Sequence, residues 1–316
     1  MSTVLPWHED AWHQIQSQIR GGRLPHAILL QGLPGSGRRQ FADALCAHLL
    51  CESEADKPCG RCRQCMLYNS GNHPDVLVLE PEEKSKSIKI DQIRRLSLFV
   101  AQTSNQSNVT KLIVIRPAEA LGPAAANSLL KSLEEPPGRT LFMLIAEPGT
   151  ALLPTIRSRC QPVALAGAGT EQAMAWLQLH SSAAVDDLAA ALQLAPGSPI
   201  AALALLEEGL PAWRAGIEER LSELASGRMS PVELAKLAST QPALRAIHLI
   251  EEISARDSRA FIQSHHMQDL RRELVFQHKL LPVKQQLNST ANPNELMALE
   301  YLLIEYAGLL KARTGT

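Results

Sequence analysis

The sequence predicts an α/β domain, with a parallel sheet covered by helices on both faces, followed by a region that is helical throughout. Three observations carry that reading. Residues 1–165 alternate short continuous apolar runs with helical stretches, the pattern of strands buried on both faces. From Glu171 onward Ala and Leu dominate, and runs rich in β-branched residues cease. The length of 316 residues, at about 150 residues per domain, leaves room for two or three domains.

Taken in order, His26-Ala-Ile-Leu-Leu-Gln31 reads as a buried strand, followed by a Gly-rich turn and an amphipathic helix from Arg39 to Leu50. A second strand is expected at Val76–Leu79. Residues Ile90 to Val100 suit a helix, with Asp91 in its first turn and Ile93, Leu96 and Val100 at spacings of three and four. Lys111–Ile115 is a third strand, and Leu141–Ile145 a fourth. Between them Gly122-Pro123 opens a helix over Ala124–Leu133 that Pro136-Pro137 stops. Beyond residue 166, breaks at Pro196-Gly197, Gly209-Leu210-Pro211, Gly227, Ser230-Pro231 and Pro282 divide the helices. The expected domains are therefore 1–166 (α/β), 167–209 (a small helical domain) and 210–316 (a C-terminal all-α bundle). In that bundle Leu299 to Leu310 would bury one face inward and turn another to partners.

Composition narrows the function. Hydrophobic residues make up 45% and charged residues 20%, and 31 Lys and Arg against 32 Asp and Glu leave a formal net charge of -1. The charge is spread evenly, about +3 over residues 1–165 and -4 over the rest, so a polycation holding nucleic acid by bulk charge is excluded. The N-terminus lacks a basic segment followed by an apolar core, and no apolar run reaches the 18 or so residues of a membrane span. The expectation is a soluble cytoplasmic protein whose six cysteines are reduced thiols or metal ligands.

Between the first strand and its helix lies Gly32-Leu-Pro-Gly-Ser-Gly37-Arg38-Arg39, where a phosphate-binding loop of the form G-x-x-x-x-G-K-[ST] belongs. Arg38 takes the Lys position and Arg39 the Ser/Thr position, and a guanidinium cannot serve as a hydroxyl ligand to Mg²⁺. The third strand should end on an acidic pair for Mg²⁺ and the attacking water, but Arg116-Pro117 follows it. Two separate losses point to a chain that does not hydrolyse ATP. Gly32 and Gly37 then serve a retained tight turn, with nucleotide held without Mg²⁺ as the alternative.

Cys51, Cys59, Cys62 and Cys65 lie within fifteen residues, in a polar stretch. Two-residue gaps let successive cysteines turn onto one ion, and four thiolates close a tetrahedral Zn²⁺ site with no open position, so the metal would fold the loop rather than catalyse. Free or redox thiols and an iron–sulfur cluster are the other readings. Arg61 and Arg63 raise the further alternative of a DNA-binding zinc module. Cys46 reads as a small buried residue.

After the fourth strand comes Leu153-Pro-Thr-Ile-Arg157-Ser158-Arg159-Cys160, and before it Asn127-Ser-Leu-Leu-Lys131-Ser-Leu-Glu134-Glu135-Pro136-Pro137. With the altered loop and the four cysteines, these segments resemble the clamp-loader branch of the AAA+ proteins, by motif over residues 1–165 and beyond only in helical character and length. The resemblance implies an AAA+ P-loop-type domain with a zinc-binding insertion near 51–65, a small helical lid domain and a C-terminal helical collar. It also implies a member that does not hydrolyse ATP, a stator in a hetero-oligomeric ring with gamma/tau and delta clamp-loader subunits. That ring loads the sliding clamp onto primed DNA, within a DNA-directed DNA polymerase holoenzyme, a nucleotidyltransferase complex in DNA replication. Arg159 would act in trans as an arginine finger toward ATP on a neighbouring gamma/tau subunit, with Ser158 and Cys160 setting the loop and Arg157 a weaker candidate. From the residues alone, Arg159 could equally pair with an acidic neighbour at the surface. Two other functions stay open: an ATP-hydrolysing clamp-loader motor of the gamma/tau type, and a stand-alone zinc-dependent DNA-binding regulator. After the fourth strand Ala146-Glu147-Pro148 offers no polar sensor of the nucleotide.

Overall fold

The computed structural model describes residues 4–54, 57–82, 85–101, 111–136, 138–150, 152–287 and 293–314. Pro137 of the motif above lies outside them. The chain forms two compact units, Met1–Glu208 and Gly209–Thr316. Residues 167–208 fall within the first unit.

The first unit opens with helix α1 (Glu9–Arg20), strand β1 (Ala27–Gln31) and helix α2 (Arg38–Leu50). Then come α3 (Arg63–Asn69), β2 (Val76–Leu79), α4 (Ile90–Ala101), β3 (Lys111–Ile115) and α5 (Pro123–Glu134). Strand β4 (Thr140–Ala146), the short α6 (Pro154–Arg157) and β5 (Gln161–Ala164) complete the α/β part. All five strands are parallel, in the order β2-β3-β4-β1-β5, with Gln31 level with Ala146 and Ile115 level with Leu144.

Alternation along each strand splits the apolar residues between two cores. Leu29, Ile113, Ile115, Phe142 and Leu144 face α4, α5 and α6, whose Leu96, Leu129 and Ile156 are fully buried. Ile28, Leu30, Leu112, Val114 and Met143 face α1 and α2, where Ile15, Phe41 and Leu45 meet them. A third cluster gathers helices α7 (Thr170–His180), α8 (Val185–Leu194) and α9 (Pro199–Glu207) around Leu177, Leu188 and Ala202, and takes in Leu5 and Trp7 from the N-terminus.

The second unit is helical: α10 (Leu210–Ala225), α11 (Pro231–Ala238), α12 (Ala243–Gln263), α13 (Met267–Leu287) and α14 (Glu295–Thr314). Its core joins Leu234, Ile247, Ile250, Leu280 and Tyr306. Helix α14 buries Leu299, Leu302, Leu303 and Leu309 and leaves Met297, Tyr301 and Ile304 exposed. Pro282 does not end a helix as expected, because α13 runs through it. Burial of Leu280 and Val283 on either side outweighs the one backbone hydrogen bond that proline removes. No single helix among the described residues is long and apolar enough to cross a membrane.

Candidate functional site

In a parallel sheet the loops at the carboxyl ends of the strands share one edge, and that edge is where such folds bind ligands. Here it collects the glycine loop after β1, Glu80 after β2, Arg116 after β3 and Glu147 after β4. Glu80 and Arg116, with Gly35, Gly37, Arg38, Arg39 and Ile200, line a cavity of about 560 Å³ there.

The loop is closely packed. Gly35 (φ +71°) and Gly37 (φ +102°) adopt the left-handed backbone that favours glycine. A Cβ on Gly35 would lie 2.4 Å from Cβ of Ala201, and one on Gly37 would lie 2.1 Å from Cδ1 of Leu5. Trp7 Nε1 donates to Ser36 O at 2.7 Å, and Ile200 N donates to Gly35 O at 3.2 Å. Leu5 and Trp7 on one side and the start of α9 on the other thus hold the turn.

Each arginine in the cavity has a carboxylate partner. Arg38 Nη2 donates to Glu147 Oε1 at 3.4 Å, so the residue in the sensor position answers the residue in the Lys position. Arg39 pairs with Glu80. Arg116 donates from Nε to Glu80 Oε1 at 2.6 Å and from Nη1 to Asp43 Oδ1 at 3.3 Å. Burial pushes the Glu80 carboxyl upward, but Arg116 and Arg39 outweigh it and hold the group below its ordinary value. Glu80, Asp43 and Glu147 are therefore each engaged by a guanidinium group, and no hydroxyl stands at position 39. As a donor set this does not fit a nucleotide-bound Mg²⁺, which needs free oxygen ligands.

The four cysteines converge as their spacing predicts. One sulfur from each of Cys51, Cys59, Cys62 and Cys65 lies within 4.8 Å of the others, and all four are free thiols. A tetrahedral Zn²⁺ with Zn–S of about 2.3 Å would place its sulfurs about 3.8 Å apart, so small side-chain movements close the site. Cys62 caps α3 by accepting from Cys65 N at 3.4 Å, and Cys59 N donates to Cys51 Sγ at 3.3 Å. Backbone N–H groups of Arg61 and Cys62 pull the Cys59 thiol down to about 6, while burial pushes Cys65 up to about 12. Around the thiols, Gln64 Nε2 donates to Glu52 Oε1 at 3.1 Å, and Gln64 Oε1 meets the buried His73 Nε2 at 2.9 Å. These residues can hold a metal ion. Cys46 lies on α2 in the sheet core, wholly buried, and burial pushes its thiol up to about 12.

Beyond β4, α6 and its following turn are pinned by Ile156 and Cys160, buried at 0% and 6% exposure. Arg159 projects between them with its side chain 34% exposed. Its Nη1 donates to Thr155 O at 3.0 Å and Ser158 Oγ at 3.3 Å, and its Nη2 pairs with Glu134 at the end of α5. Arg157 is exposed, and its side chain meets no partner among the described residues. The glycine loop, the cysteine site and Arg159 thus occupy three separate places. Sequence reasoning did not foresee the roles of Glu80, Asp43 and Glu134, or the packing of Leu5 and Trp7 on the loop. For Glu134 a signal existed, since it stands in the motif quoted with Arg159.

A family model described as "DNA polymerase III, delta subunit" matches residues 7–168. DNA polymerase III subunit delta' of Pseudomonas aeruginosa is 36% identical over 98% of this chain and 99% of that protein. The delta' subunit of Haemophilus influenzae is 37% identical over 75% of this chain and 72% of that protein, and that of Escherichia coli 38% over 64% and 60%. A solved Thermotoga maritima DNA polymerase III gamma subunit-related protein aligns over 94% of this chain and 99% of its own at 18% identity and a TM-score of 0.47, too low to argue from.

Proposed function

This chain belongs to the family of DNA polymerase III delta' subunits, and from that membership we propose that it is the clamp-loader subunit that does not hydrolyse ATP. It assembles with gamma/tau and delta subunits into a ring that loads the sliding clamp on primed DNA. Within the ring it is a stator that contributes Arg159 to the ATP site of a neighbouring gamma/tau subunit.

The observation that carries the reading is the state of the glycine loop. Arg38, Arg39 and Arg116 stand where Lys, Ser/Thr and an acidic pair would operate, and each is tied to a carboxylate. A loop so occupied lacks the ammonium that reaches the β and γ phosphates and the ligands that hold Mg²⁺. Arg159 is paired as well, with Glu134, but it stands away from the loop, partly exposed on a turn anchored by the buried Ile156 and Cys160. A guanidinium aimed at a γ-phosphate stabilises transition-state charge and is worth about 10³–10⁵ in rate at a single site. The four-thiol site is read as structural zinc, bound by Cys51, Cys59, Cys62 and Cys65.

ATP turnover tests the first part. The purified chain should show no Mg²⁺-dependent hydrolysis above background, and it should co-purify with gamma/tau and delta subunits into an assembly that does hydrolyse ATP. Robust turnover by the chain alone would make it a motor and overturn the reading.

A further inference from the structure

Arg159 is held by more than its own turn. Glu134 lies on another element, at the last residue of α5, and its carboxylate pairs with Arg159 Nη2 while Thr155 O and Ser158 Oγ take Nη1. No acceptor among the described residues meets Arg159 Nε. Two of the three guanidinium nitrogens are thereby committed, and Nε is left for a further acceptor on a side chain that is 34% exposed. Glu134 itself sits poorly for helix stability, because a carboxylate at a helix C-terminus opposes the macrodipole. Nor does the pair contribute much stability, since its side chains are 34% and 49% exposed and such pairs are weak in water.

We propose that Glu134 is a positioning residue for Arg159: it fixes the guanidinium in one rotamer, so that the group is already oriented when a partner subunit's phosphate arrives. An unrestrained arginine at a surface samples many rotamers, and that freedom is lost when it binds. Glu134 removes most of it in advance. This inference rests on the reading of Arg159 as a group acting in trans, and it adds a residue that touches no nucleotide itself.

The test uses the complete loader reconstituted with gamma/tau and delta subunits, with ATP turnover measured for wild type, Glu134→Gln, Glu134→Asp, Arg159→Ala and the Glu134→Gln/Arg159→Ala pair. Glu134→Gln should lower kcat at the one adjoining ATP site, resolved by single turnover, by about three- to tenfold with ATP affinity there within about twofold, the loss of a pre-ordered but not of a binding group. Glu134→Asp should recover part of kcat, and adding Glu134→Gln to Arg159→Ala should cost nothing further. The isolated Glu134→Gln chain should melt within a few degrees of wild type, which separates positioning from folding. If Arg159→Ala lowers turnover while Glu134→Gln matches wild type, or if the two losses multiply, the positioning role is wrong and the trans-acting arginine stands. If Arg159→Ala itself matches wild type, the underlying reading fails and this inference with it.

Discussion

His8 donates from Nε2 to Ala166 O at 3.2 Å, while its Nδ1 is buried with no partner. A second ring proton would therefore sit on a nitrogen without an acceptor. Burial pulls the pKa down to about 4, against a smaller opposing effect of the Ala166 carbonyl. In the unfolded chain the imidazole titrates near its ordinary value of about 6.5, so between pH 6.5 and 4 the unfolded state binds more protons. Stability is then lost as pH falls through that window, by at most about 3 kcal/mol for this group. His48 and His73 are displaced the same way, chiefly by burial, and add to the slope. Glu80 acts lower, because its contribution is complete above the ordinary carboxylate value and fades as pH drops through its depressed pKa. The melting temperature should fall between pH 6.5 and 4, and His8→Gln, which keeps a donor toward Ala166, should flatten the fall. A slope unaltered by that substitution would contradict the assignment.

For a whole helix, α13 sets a local rule against packing. Proline in a helix interior costs up to about 3 kcal/mol, and Pro282 is exposed, so its ring contributes little burial in return. Pro282→Ala should raise the unfolding temperature of the helical unit, and a destabilised variant would show that the ring has a role the helix does not reveal. The same contest explains what could be read from sequence. Strands β1, β3 and β4 were legible because both faces are buried, which leaves continuous apolar runs. Strand β5 was not, since Gln161-Pro-Val-Ala164 is an edge strand with only Val163 buried. The cysteine site was legible because all four cysteines are local in sequence. The pair of Glu134 with Arg159, 25 residues apart, depends on how α5 and α6 pack, and spacing does not encode it. As an element the thiol loop makes its own prediction. The chain should carry about one zinc, and Cys62→Ser should release it and loosen the segment around residues 51–65. A wild-type chain that is fully folded without metal would refute this.

Across the whole molecule, near-neutral charge and an arginine-locked loop agree with the proposal that this chain's ATP chemistry is completed by others. The two units divide at Gly209, and the helical one leaves an apolar stripe of Met297, Tyr301 and Ile304 exposed along α14. That Arg38 and Arg39 take the Lys and Ser/Thr positions of the loop, and Arg116 the acidic position after β3, could be read directly from the sequence. What they form, a set of ion pairs converging from four strand ends, needed the sheet order to be seen. The central claim is that this chain gives an arginine to a neighbour's ATP and uses none itself. Its most direct test is single-turnover ATP hydrolysis by the reconstituted loader carrying Arg159→Ala in this chain alone. The complex should assemble and bind ATP normally but lose the hydrolysis of the one adjoining site, by about 10³-fold or more at that site. Hydrolysis at every site with wild-type kinetics would contradict it.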